Sequence, residues 1–412
     1  MSNTNIFVAK KFILIMKKLL LWIGALLIGT ILGLLQVDFI DVAATFVATI
    51  YTRLFQLLAV PIIVLAIITT LASLGKSAEA GRIFGRTIIY TLLTTLVASL
   101  VGLALFVAIE PGVLSLPASD VEGSAAVQAP SLSYTDHILS VVPNNVVRPF
   151  LEGNVLSLLL LAAAVGIALS HLPVSESRTA VLNFFQGLQD VIFLLIKALI
   201  WALPLGIVAF AAQLASQLSA GVVADSIGKY VLVVLGGNLV QFFVVLPLFL
   251  LSRGLNPVRT LRLMLPAVLM ALFTKSSAAT LPVTISSAEN RLKVNPKVSR
   301  FVLPICTTIN MNGCAAFILV TSLFVLQQGG VVLTWPLMLT WVLISVVSAV
   351  GNAGVPMGCY FLTLSLMSGM GVPVAVMGII LPIYTIIDMV ETAVNVWSDS
   401  CVCALTNHDL KL

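Results

Sequence analysis

The chain has 412 residues, of which 60% are hydrophobic and only 9% are charged, and its formal net charge is +5. This composition excludes an ordinary soluble domain, which carries about 25% charged residues. Apolar runs of roughly 20 residues, the length that crosses a bilayer as a helix, recur along the chain. A β-barrel would instead show shorter alternating segments. The sequence therefore predicts an all-α polytopic membrane protein, in which the basic residues set orientation instead of binding nucleic acid.

Eight apolar spans and two interrupted apolar segments are predicted. In chain order they are span 1 (12–36), span 2 (43–73), span 3 (86–109), a broken span 4 (137–171), span 5 (179–217), span 6 (226–252), the first interrupted segment (258–290), span 7 (297–326), the second interrupted segment (331–371) and span 8 (374–405). Four lysines, Lys10, Lys11, Lys17 and Lys18, precede an apolar run of about 20 residues that lacks an obvious cleavage site, so we expect span 1 to be retained with its basic end in the cytoplasm.

Both interrupted segments break at a run of small residues that ends in proline. The first break is KSSAATLP at 275–282, and the second is VGNAGVP at 350–356. Irregular backbone at membrane depth is tolerated only where protein or a water-filled cavity satisfies its polar groups. Paired interruptions of this kind indicate the midplane binding site of a secondary transporter. We therefore expect two re-entrant hairpins, each returning to the side on which it starts.

The distribution of basic residues supports this topology. With both hairpins re-entrant, all but five of the 21 lysines and arginines fall in connectors on one side of the membrane. The five exceptions are Arg53, Arg148, Lys197, Lys229 and Lys275. Because cytoplasmic connectors carry an excess of Lys and Arg, we predict a multi-pass protein of the cytoplasmic (inner) membrane with both termini in the cytoplasm.

Span 8 carries polar side chains in a helical register. Asp388, Thr392, Asn395 and Asp399 are spaced 4, 3 and 4 residues apart, so a helix places them on one narrow face. Two carboxylates on one stripe of a membrane helix are costly unless they face a cavity or an ion. The stripe indicates either a structural hydrogen-bond network between helices or a binding site.

Four motifs in this region resemble those of the dicarboxylate/amino acid:cation symporter family, the glutamate transporter homologues. They are SSAATLP at 276–282, TINMNG at 308–313, GNAGVP at 351–356 and DMVETAVN at 388–395. The resemblance covers essentially the whole chain, and the order of the motifs makes it specific. The Glu-Thr-Ala-x-Asn pattern is similar to the serine/threonine:sodium symporter branch.

The resemblance implies a homotrimer whose protomers each have two parts. A scaffold and trimerisation domain would comprise 1–73 and 137–217, which hold spans 1, 2, 4 and 5. A transport domain would comprise 82–110 and 226–405, which hold spans 3, 6, 7 and 8 and both hairpins. The transport domain would move like an elevator, with the second hairpin as a gate.

The resemblance also implies a substrate site for an amino acid. Asp388 would accept the α-ammonium group, Asn395 would bind the carboxylate, and the two hairpin tips would hold the carboxylate with backbone N–H groups. The complete predicted set of substrate-binding residues is Ser276, Ser277, Met311, Cys314, Gly354, Val355, Asp388, Glu391, Thr392 and Asn395. An ordinary surface turn is the alternative interpretation of the second tip.

Na⁺ is the coupling ion that the resemblance implies, and it prefers oxygen ligands of the kind that an unwound helix offers. The first predicted site uses Asp399 with the carbonyls of Cys306, Asn310 and Asn395. The second uses the carbonyls of Thr308, Ala349, Val350 and Asn352. A third would use Thr94, Thr95, Asn310 and Asn312. The family's usual aspartate is Asn312 in this chain, so we expect the third site to be weak or absent.

The larger departure from the family is Glu391. Members that carry acidic substrates have arginine at this position, because a carboxylate on the substrate favours a bidentate guanidinium. Cys314 likewise stands where those members usually have threonine. We therefore predict a sodium-coupled symporter for a small neutral amino acid such as serine, threonine or alanine. In the alternative interpretation, Glu391 turns away into a polar pocket.

Other functions remain open at this stage. A proton-coupled carrier could use Glu391 or Asp388 as its titrating group, and an acidic or cationic amino acid carrier, an exchanger or a channel would suit the same fold. No constellation of residues indicates an enzyme. The five cysteines indicate no disulfide framework, and Cys401 and Cys403 are interpreted as packing residues.

Overall fold

The computed structural model describes residues 21, 24–72, 78–114, 142–152, 155–217, 220–350, 352, 357–370, 372 and 375–410. Within these residues the chain is helical and contains no β-strand. The prediction of an all-α protein is therefore confirmed. Five of the described helical segments are long and apolar enough to cross a membrane, including segments that run through a π-helical turn or a short break: Arg82–Ile109, Glu176–Leu199, Asp225–Leu251, Pro257–Thr274 and Pro296–Gln328.

The helices follow the predicted order of spans. They are α1 (Gly24–Leu34), α2 (Asp38–Ala72), α3 (Ala78–Ile109), α4 (Arg148–Glu152), α5 (Val155–His171), α6 (Glu176–Gln217), α7 (Ala220–Val240), α8 (Leu246–Leu251), α9 (Pro257–Thr274), α10 (Ser277–Ser287), α11 (Pro296–Ile309), α12 (Asn312–Gln328), α13 (Trp335–Val350), α14 (Gly358–Gly369) and α15 (Ala375–Leu410). The π-helical turns Gln241–Val245 and Ala288–Leu292 follow α7 and α10.

Several helices extend past the apolar runs that predicted them. For example, α3 begins at Ala78 instead of near residue 86, and it therefore includes Arg82 and Arg86. An apolar run ends at its first charged residue, whereas a helix continues as long as its backbone N–H and C=O groups bond to one another. The described part of span 1 is residues 21 and 24–36, which include α1, and residues 12–20, 22 and 23 of that predicted span lie outside the described residues.

The first interrupted segment forms a hairpin of α9 and α10, called here the first hairpin. Asn256 caps the start of α9 by accepting a hydrogen bond from the N–H of Arg259 at 3.0 Å. The helix ends at Lys275, whose φ of 53° lies in the left-handed region and reverses the chain. Ser276 then caps α10, and α9 and α10 pack against each other. The predicted break at 275–282 therefore falls at a real helix boundary.

The second interrupted segment comprises α13 and α14 and is called here the second hairpin. Helix α13 ends at Val350, and α14 begins at Gly358 after Met357, whose φ is 63°. Both helices pack on α12, and α14 also packs on α2. The tip residues Gly351 and 353–356 lie outside the described residues.

Span 7 is not one continuous helix. Helix α11 ends at Ile309, and α12 begins at Asn312 after two residues with non-helical backbone angles, Asn310 (φ −99°, ψ 69°) and Met311 (φ −107°, ψ 65°). The sequence of span 7 is apolar on both sides of this break. The unwound turn exposes carbonyl groups that a continuous helix would have used.

Helix α12 lies at the centre of the protein. It packs against α3, α7, α13, α14 and α15 and is buried along almost its whole length. A helix that is apolar on all sides is stable only when other helices surround it. A second group of helices, α2, α5 and α6, packs mainly on itself and touches the first group mainly through α14 and α15.

Polar side chains bring several helix ends together at one end of the protein. Asp409, near the end of α15, accepts a hydrogen bond from the hydroxyl of Tyr90 at 2.6 Å. Its carboxylate also lies 3.6 Å from Arg86 and 3.8 Å from Arg253. The start of α3, the end of α8 and the C-terminal end of α15 therefore lie together at one end of the protein.

Candidate functional site

The polar face of α15 is buried, as the spacing in span 8 predicts. Asp388, Glu391, Asn395 and Asp399 are between 1% and 4% exposed. Burying an ionised carboxylate is costly unless other groups or an ion compensate its charge. Each of these side chains therefore needs partners from the helices that surround α15.

Asp388 faces the start of α14 and the tip of the first hairpin. Its Oδ2 accepts a hydrogen bond from the backbone N–H of Met357 at 3.2 Å. The positive charge of Lys275 at the first tip also acts favourably on this carboxylate. Asp388 thus bonds to the start of α14 and lies within electrostatic range of the first tip, although helices α11 and α12 separate the two hairpins in the sequence.

Asn395 holds the start of α12 against α15. Its Oδ1 accepts a hydrogen bond from the N–H of Gly313 at 2.9 Å, and its Nδ2 donates to the Sγ of Cys314 at 3.3 Å. A Cβ atom at position 313 would lie 2.8 Å from the Cα of Glu391, closer than real Cβ contacts allow. Glycine is required there because the two helix backbones meet at this point.

Glu391 lies among aromatic rings beside two sulfur atoms. Its Oε2 accepts a hydrogen bond from the hydroxyl of Tyr384 at 3.1 Å. Its Oε1 is buried and has no hydrogen-bond partner among the described residues. A carboxylate oxygen of Glu391 and the Sγ atoms of Cys314 and Cys359 lie within 4.8 Å of one another. Glu391 therefore borders the same region as Cys314, which was predicted to contact the substrate.

The cysteines indicated no disulfide framework in the sequence, yet the structure contains a disulfide. Cys314 in α12 and Cys359 in α14 are joined by a disulfide across 45 positions of sequence. Their pairing depends on α14 folding back onto α12, which spacing along the chain does not reveal. Cys306, Cys401 and Cys403 are free and buried, consistent with the interpretation of the last two as packing residues.

Asp399 lies beside the break between α11 and α12. Its Oδ1 accepts a hydrogen bond from the Nδ2 of Asn310 at 2.9 Å, and the same nitrogen is 2.9 Å from the Oγ of Ser398. The Oδ2 of Asp399 is buried and has no partner among the described residues. The N–H of Asn310 donates to the carbonyl of Cys306, another predicted ligand. A buried carboxylate oxygen without a donor, beside an unwound turn, fits a hard cation such as Na⁺.

The residues of the second predicted cation site lie at the end of α13 and the end of α11, and these two helix ends are close together. Val350 lines the same small cavity as Ile305 and Ile309. The N–H of Asn352 donates to the carbonyl of Ala349 at 3.1 Å, which closes a turn at the end of α13. The Oγ1 of Thr308 donates to the carbonyl of Ile305, so the hydroxyl is engaged within its own helix.

The side-chain amide of Asn312 lies at the third predicted cation site. Asn312 donates through Nδ2 to the Oδ1 of Asn310 at 2.9 Å, while its Oδ1 accepts from the Nε2 of Gln241 at 2.6 Å. Gln241 also donates to the carbonyl of Thr94. Thr95 accepts a longer hydrogen bond from Asn312. The Oδ1 atoms of Asn310 and Asn312 therefore already accept hydrogen bonds from amides, whereas the Oε1 of Gln241 is buried without a partner among the described residues.

The remaining predicted substrate residues have different positions. Ser276 accepts a hydrogen bond from the N–H of Ala279, and Ser277 is buried at the first turn of α10. Met311 is buried in the break before α12. The hydroxyl of Thr392 donates to the carbonyl of Asp388 in its own helix. Gly354 and Val355 lie outside the described residues.

The residues of this region that were not predicted to take part in it include Gln241, Lys275, Cys359 and Tyr384. Gln241 and Lys275 had a usable signal, because each is a polar residue within or beside a membrane-grade segment. Cys359 and Tyr384 had none, because cysteine and tyrosine are ordinary in such segments.

Comparison with known proteins identifies the family. Residues 19–409 match the sodium:dicarboxylate symporter family. The chain is 31% identical over 402 residues to the neutral amino acid transporter B(0) of Oryctolagus cuniculus, with 89% of this chain and 74% of that protein covered. It is 30% identical over 427 residues to the human neutral amino acid transporter A, with 94% and 79% covered. It is also 25% identical over 420 residues to the excitatory amino acid transporter 1 of Ambystoma tigrinum, with 88% and 77% covered.

These matches span nearly the whole chain, and they confirm the resemblance that the four motifs indicate. The matches agree with the helical, multi-pass membrane protein that the sequence predicts. They also agree with the expectation that the chain is not an enzyme, because the family consists of transporters. The chain therefore belongs to the sodium:dicarboxylate symporter family, and it is a transporter and not an enzyme.

Proposed function

We propose that the protein is a sodium-coupled secondary active symporter that imports a small neutral amino acid such as serine, threonine or alanine. The observation that carries this proposal is the position of Glu391, buried between Tyr384 and the two sulfur atoms, close to Asp388 and Asn395. A carboxylate on this face disfavours a substrate that brings a second carboxylate. Relatives named as neutral amino acid transporters support the same substrate class.

The two ends of an amino acid match groups on α15. Asp388 is a buried carboxylate suited to an α-ammonium group. The ammonium group would replace the N–H of Met357 as the hydrogen-bond donor to this carboxylate. Asn395 and the backbone of the first tip at Ser276 and Ser277 offer donors for the α-carboxylate. The hydroxyl of serine or threonine could then donate to the unpartnered Oε1 of Glu391.

Coupling to Na⁺ is proposed to depend on Asp399. Its buried Oδ2 lacks a donor among the described residues, and the neighbouring break offers carbonyl oxygens. We propose one further site around Ala349, Val350, Asn352 and Thr308. The amide contacts of Gln241 and Asn312 argue against a third ion, so fewer ions would be coupled than in carriers with an aspartate at position 312.

The proposed mechanism is an elevator in a homotrimer. Helices α1, α2, α5 and α6 would form the scaffold, and α3 with α7–α15 would form the transport domain. Most contacts between helices fall within one group or the other, which supports this division. The scaffold and the transport domain would slide past each other where α14 contacts α2. The apolar side chains that α2 and α6 expose, such as Phe39 and Trp201, suit lipid or subunit contacts. The inner membrane with cytoplasmic termini is the proposed location.

An acidic amino acid carrier is the second candidate, and Lys275 is the observation that favours it. Its ammonium lies at the tip of the first hairpin and acts on Asp388. A substrate carboxylate could pair with this lysine instead of with an arginine on α15. The neutral-substrate proposal is preferred because Glu391 is buried on the same face and would repel that carboxylate.

Uptake by proteoliposomes tests the proposal directly. We expect saturable uptake of serine, threonine or alanine that requires an inward Na⁺ gradient, with aspartate, glutamate and lysine at background. Uptake driven equally well by a proton gradient without Na⁺ would contradict sodium coupling. Preferential uptake of aspartate would support the second candidate. Uptake of labelled substrate only into vesicles that already contain unlabelled substrate would indicate an exchanger.

The topology predicts that the two hairpin tips are reached from opposite sides. Single cysteines at Ala278, which is exposed, and at Ala353 are expected to react with a membrane-impermeant maleimide from the cytoplasmic and external faces respectively. Substrate should protect both. The wild-type protein is the control, because its reaction measures the background from the five native cysteines, which are buried in this structure. Reaction of both positions from one face under every condition would contradict the re-entrant arrangement.

A further inference from the structure

One covalent link joins two helices that would have to move apart if the second hairpin is the gate that the family resemblance implies. Cys314 belongs to the central helix α12, and Cys359 lies in the first turn of α14, the second arm of the second hairpin. Their Cα atoms are 5.6 Å apart, within the usual range for disulfides. The pair is therefore placed to fasten the second hairpin to the centre of the protein.

The link lies inside the candidate substrate site. The Sγ of Cys314 accepts hydrogen bonds from the Nδ2 atoms of Asn352 and Asn395, and the Sγ of Cys359 accepts from Asn352 as well. A carboxylate oxygen of Glu391 is within 4.8 Å of both sulfurs. Two sulfur atoms thus occupy the junction of α12, α14 and α15, whereas Cys306, Cys401 and Cys403 remain free elsewhere.

We propose that Cys314 and Cys359 form a reversible oxidation site whose disulfide locks the second hairpin closed, so that only the dithiol form transports. This inference rests on the proposed role of that hairpin as a gate. Oxidation by a hydroperoxide balances as two thiols and one H₂O₂ giving one disulfide and two water molecules. A dithiol reductant reverses it by thiol–disulfide exchange and becomes oxidised itself.

The restriction can be estimated from disulfide geometry. The Cα atoms of bonded cysteines usually stay within about 6.8 Å of each other, so the link allows the helices to separate here by only about 1 Å. Passing one layer of substrate atoms between them needs an opening of about 3.5–4 Å, the contact distance between carbon atoms. The start of α14 therefore cannot open at this point while the disulfide is intact.

Access to the two sulfurs depends on the same movement. Cys314 is 3% and Cys359 is 2% exposed, so an oxidant in water cannot reach them in the closed arrangement. Opening of the second hairpin exposes the thiols, and closure over a substrate hides them. Saturating substrate is therefore expected to slow disulfide formation in the reduced protein.

The test compares reduced and peroxide-treated protein in proteoliposomes, with peptide mass spectrometry to quantify the 314–359 disulfide. We expect oxidation to lower serine uptake at least tenfold and dithiothreitol to restore it. Cys359→Ser should keep its uptake in peroxide, and the matched variant Cys403→Ser, which retains the pair, should lose it as the wild type does. The proposal is overturned if the oxidised protein carries the disulfide yet transports within twofold of the reduced protein.

Two further results would also overturn it. One is the absence of a 314–359 disulfide after peroxide treatment, and the other is equal inactivation of the wild type and Cys359→Ser. If the Cys359→Ser protein is not produced in usable amounts, Cys359→Ala replaces it in the test. The comparison of reduced and peroxide-treated wild-type protein depends on neither variant.

Hydrogen exchange separates this proposal from the proposed function. Amides of residues 358–369 should exchange at least tenfold more slowly in the oxidised protein, whatever the substrate is. Unchanged exchange in the presence of the disulfide would overturn the lock. Absence of uptake by the reduced protein for every amino acid tested would contradict the proposed function instead.

Discussion

Replacing Asp399 by asparagine is expected to abolish Na⁺-dependent uptake. The variant keeps the shape of the side chain and an oxygen that accepts from Asn310, but it loses the charge on a buried carboxylate whose Oδ2 has no donor among the described residues. Two opposite charges about 4 Å apart interact by roughly 4 kcal/mol at an effective dielectric constant of 20. Since 1.4 kcal/mol is about tenfold in affinity, Na⁺ binding should weaken by up to about a thousandfold.

Thermal unfolding distinguishes this loss from misfolding. Na⁺ should stabilise the wild type and not Asp399→Asn, because a ligand stabilises only the state that binds it. In the absence of Na⁺ the variant should be at least as stable as the wild type, since an uncompensated buried charge has been removed. Asn312→Ala is the matched control, and its Na⁺ dependence should change less than about threefold. Undiminished Na⁺-driven uptake by Asp399→Asn would contradict the assignment.

Replacing Glu391 by arginine is expected to reverse the charge preference of the pocket. The variant should lower uptake of serine at least tenfold, because it removes the acceptor for the substrate hydroxyl and inserts a larger group beside Tyr384. It should admit aspartate if Cys314 does not block the longer side chain. Repulsion between two carboxylates about 4 Å apart costs roughly 4 kcal/mol at an effective dielectric constant of 20, and the arginine removes it.

Glu391→Gln tests the charge alone, since glutamine can still accept from Tyr384. We expect the ratio of aspartate to serine uptake to rise at least tenfold in this variant. Glu176→Gln, an exposed glutamate in the first turn of α6, is the matched control and should leave the ratio unchanged. Strong wild-type uptake of aspartate that serine competes for poorly would show that Glu391 does not organise the pocket.

The sequence alone determined the class of the protein and the main features of its candidate site. Apolar runs predicted helices because backbone polar groups in a bilayer must bond within their own segment. The breaks at 275–282 and 350–356 predicted helix ends, and the spacing of Asp388, Asn395 and Asp399 predicted a shared buried face. All of these are local features, which depend on residues a few positions apart.

The tertiary structure alone decided which of these groups meet. Gln241 bonds to Asn312 across 71 positions, and Cys314 joins Cys359 across 45. Neither pair has a signal in the spacing of residues, because the path of the chain between the partners sets their distance. The same packing places Glu391 beside both sulfurs and Met357 on Asp388. The periodicity of one helix predicts which side chains share a face, but only the packing of several helices decides what that face meets.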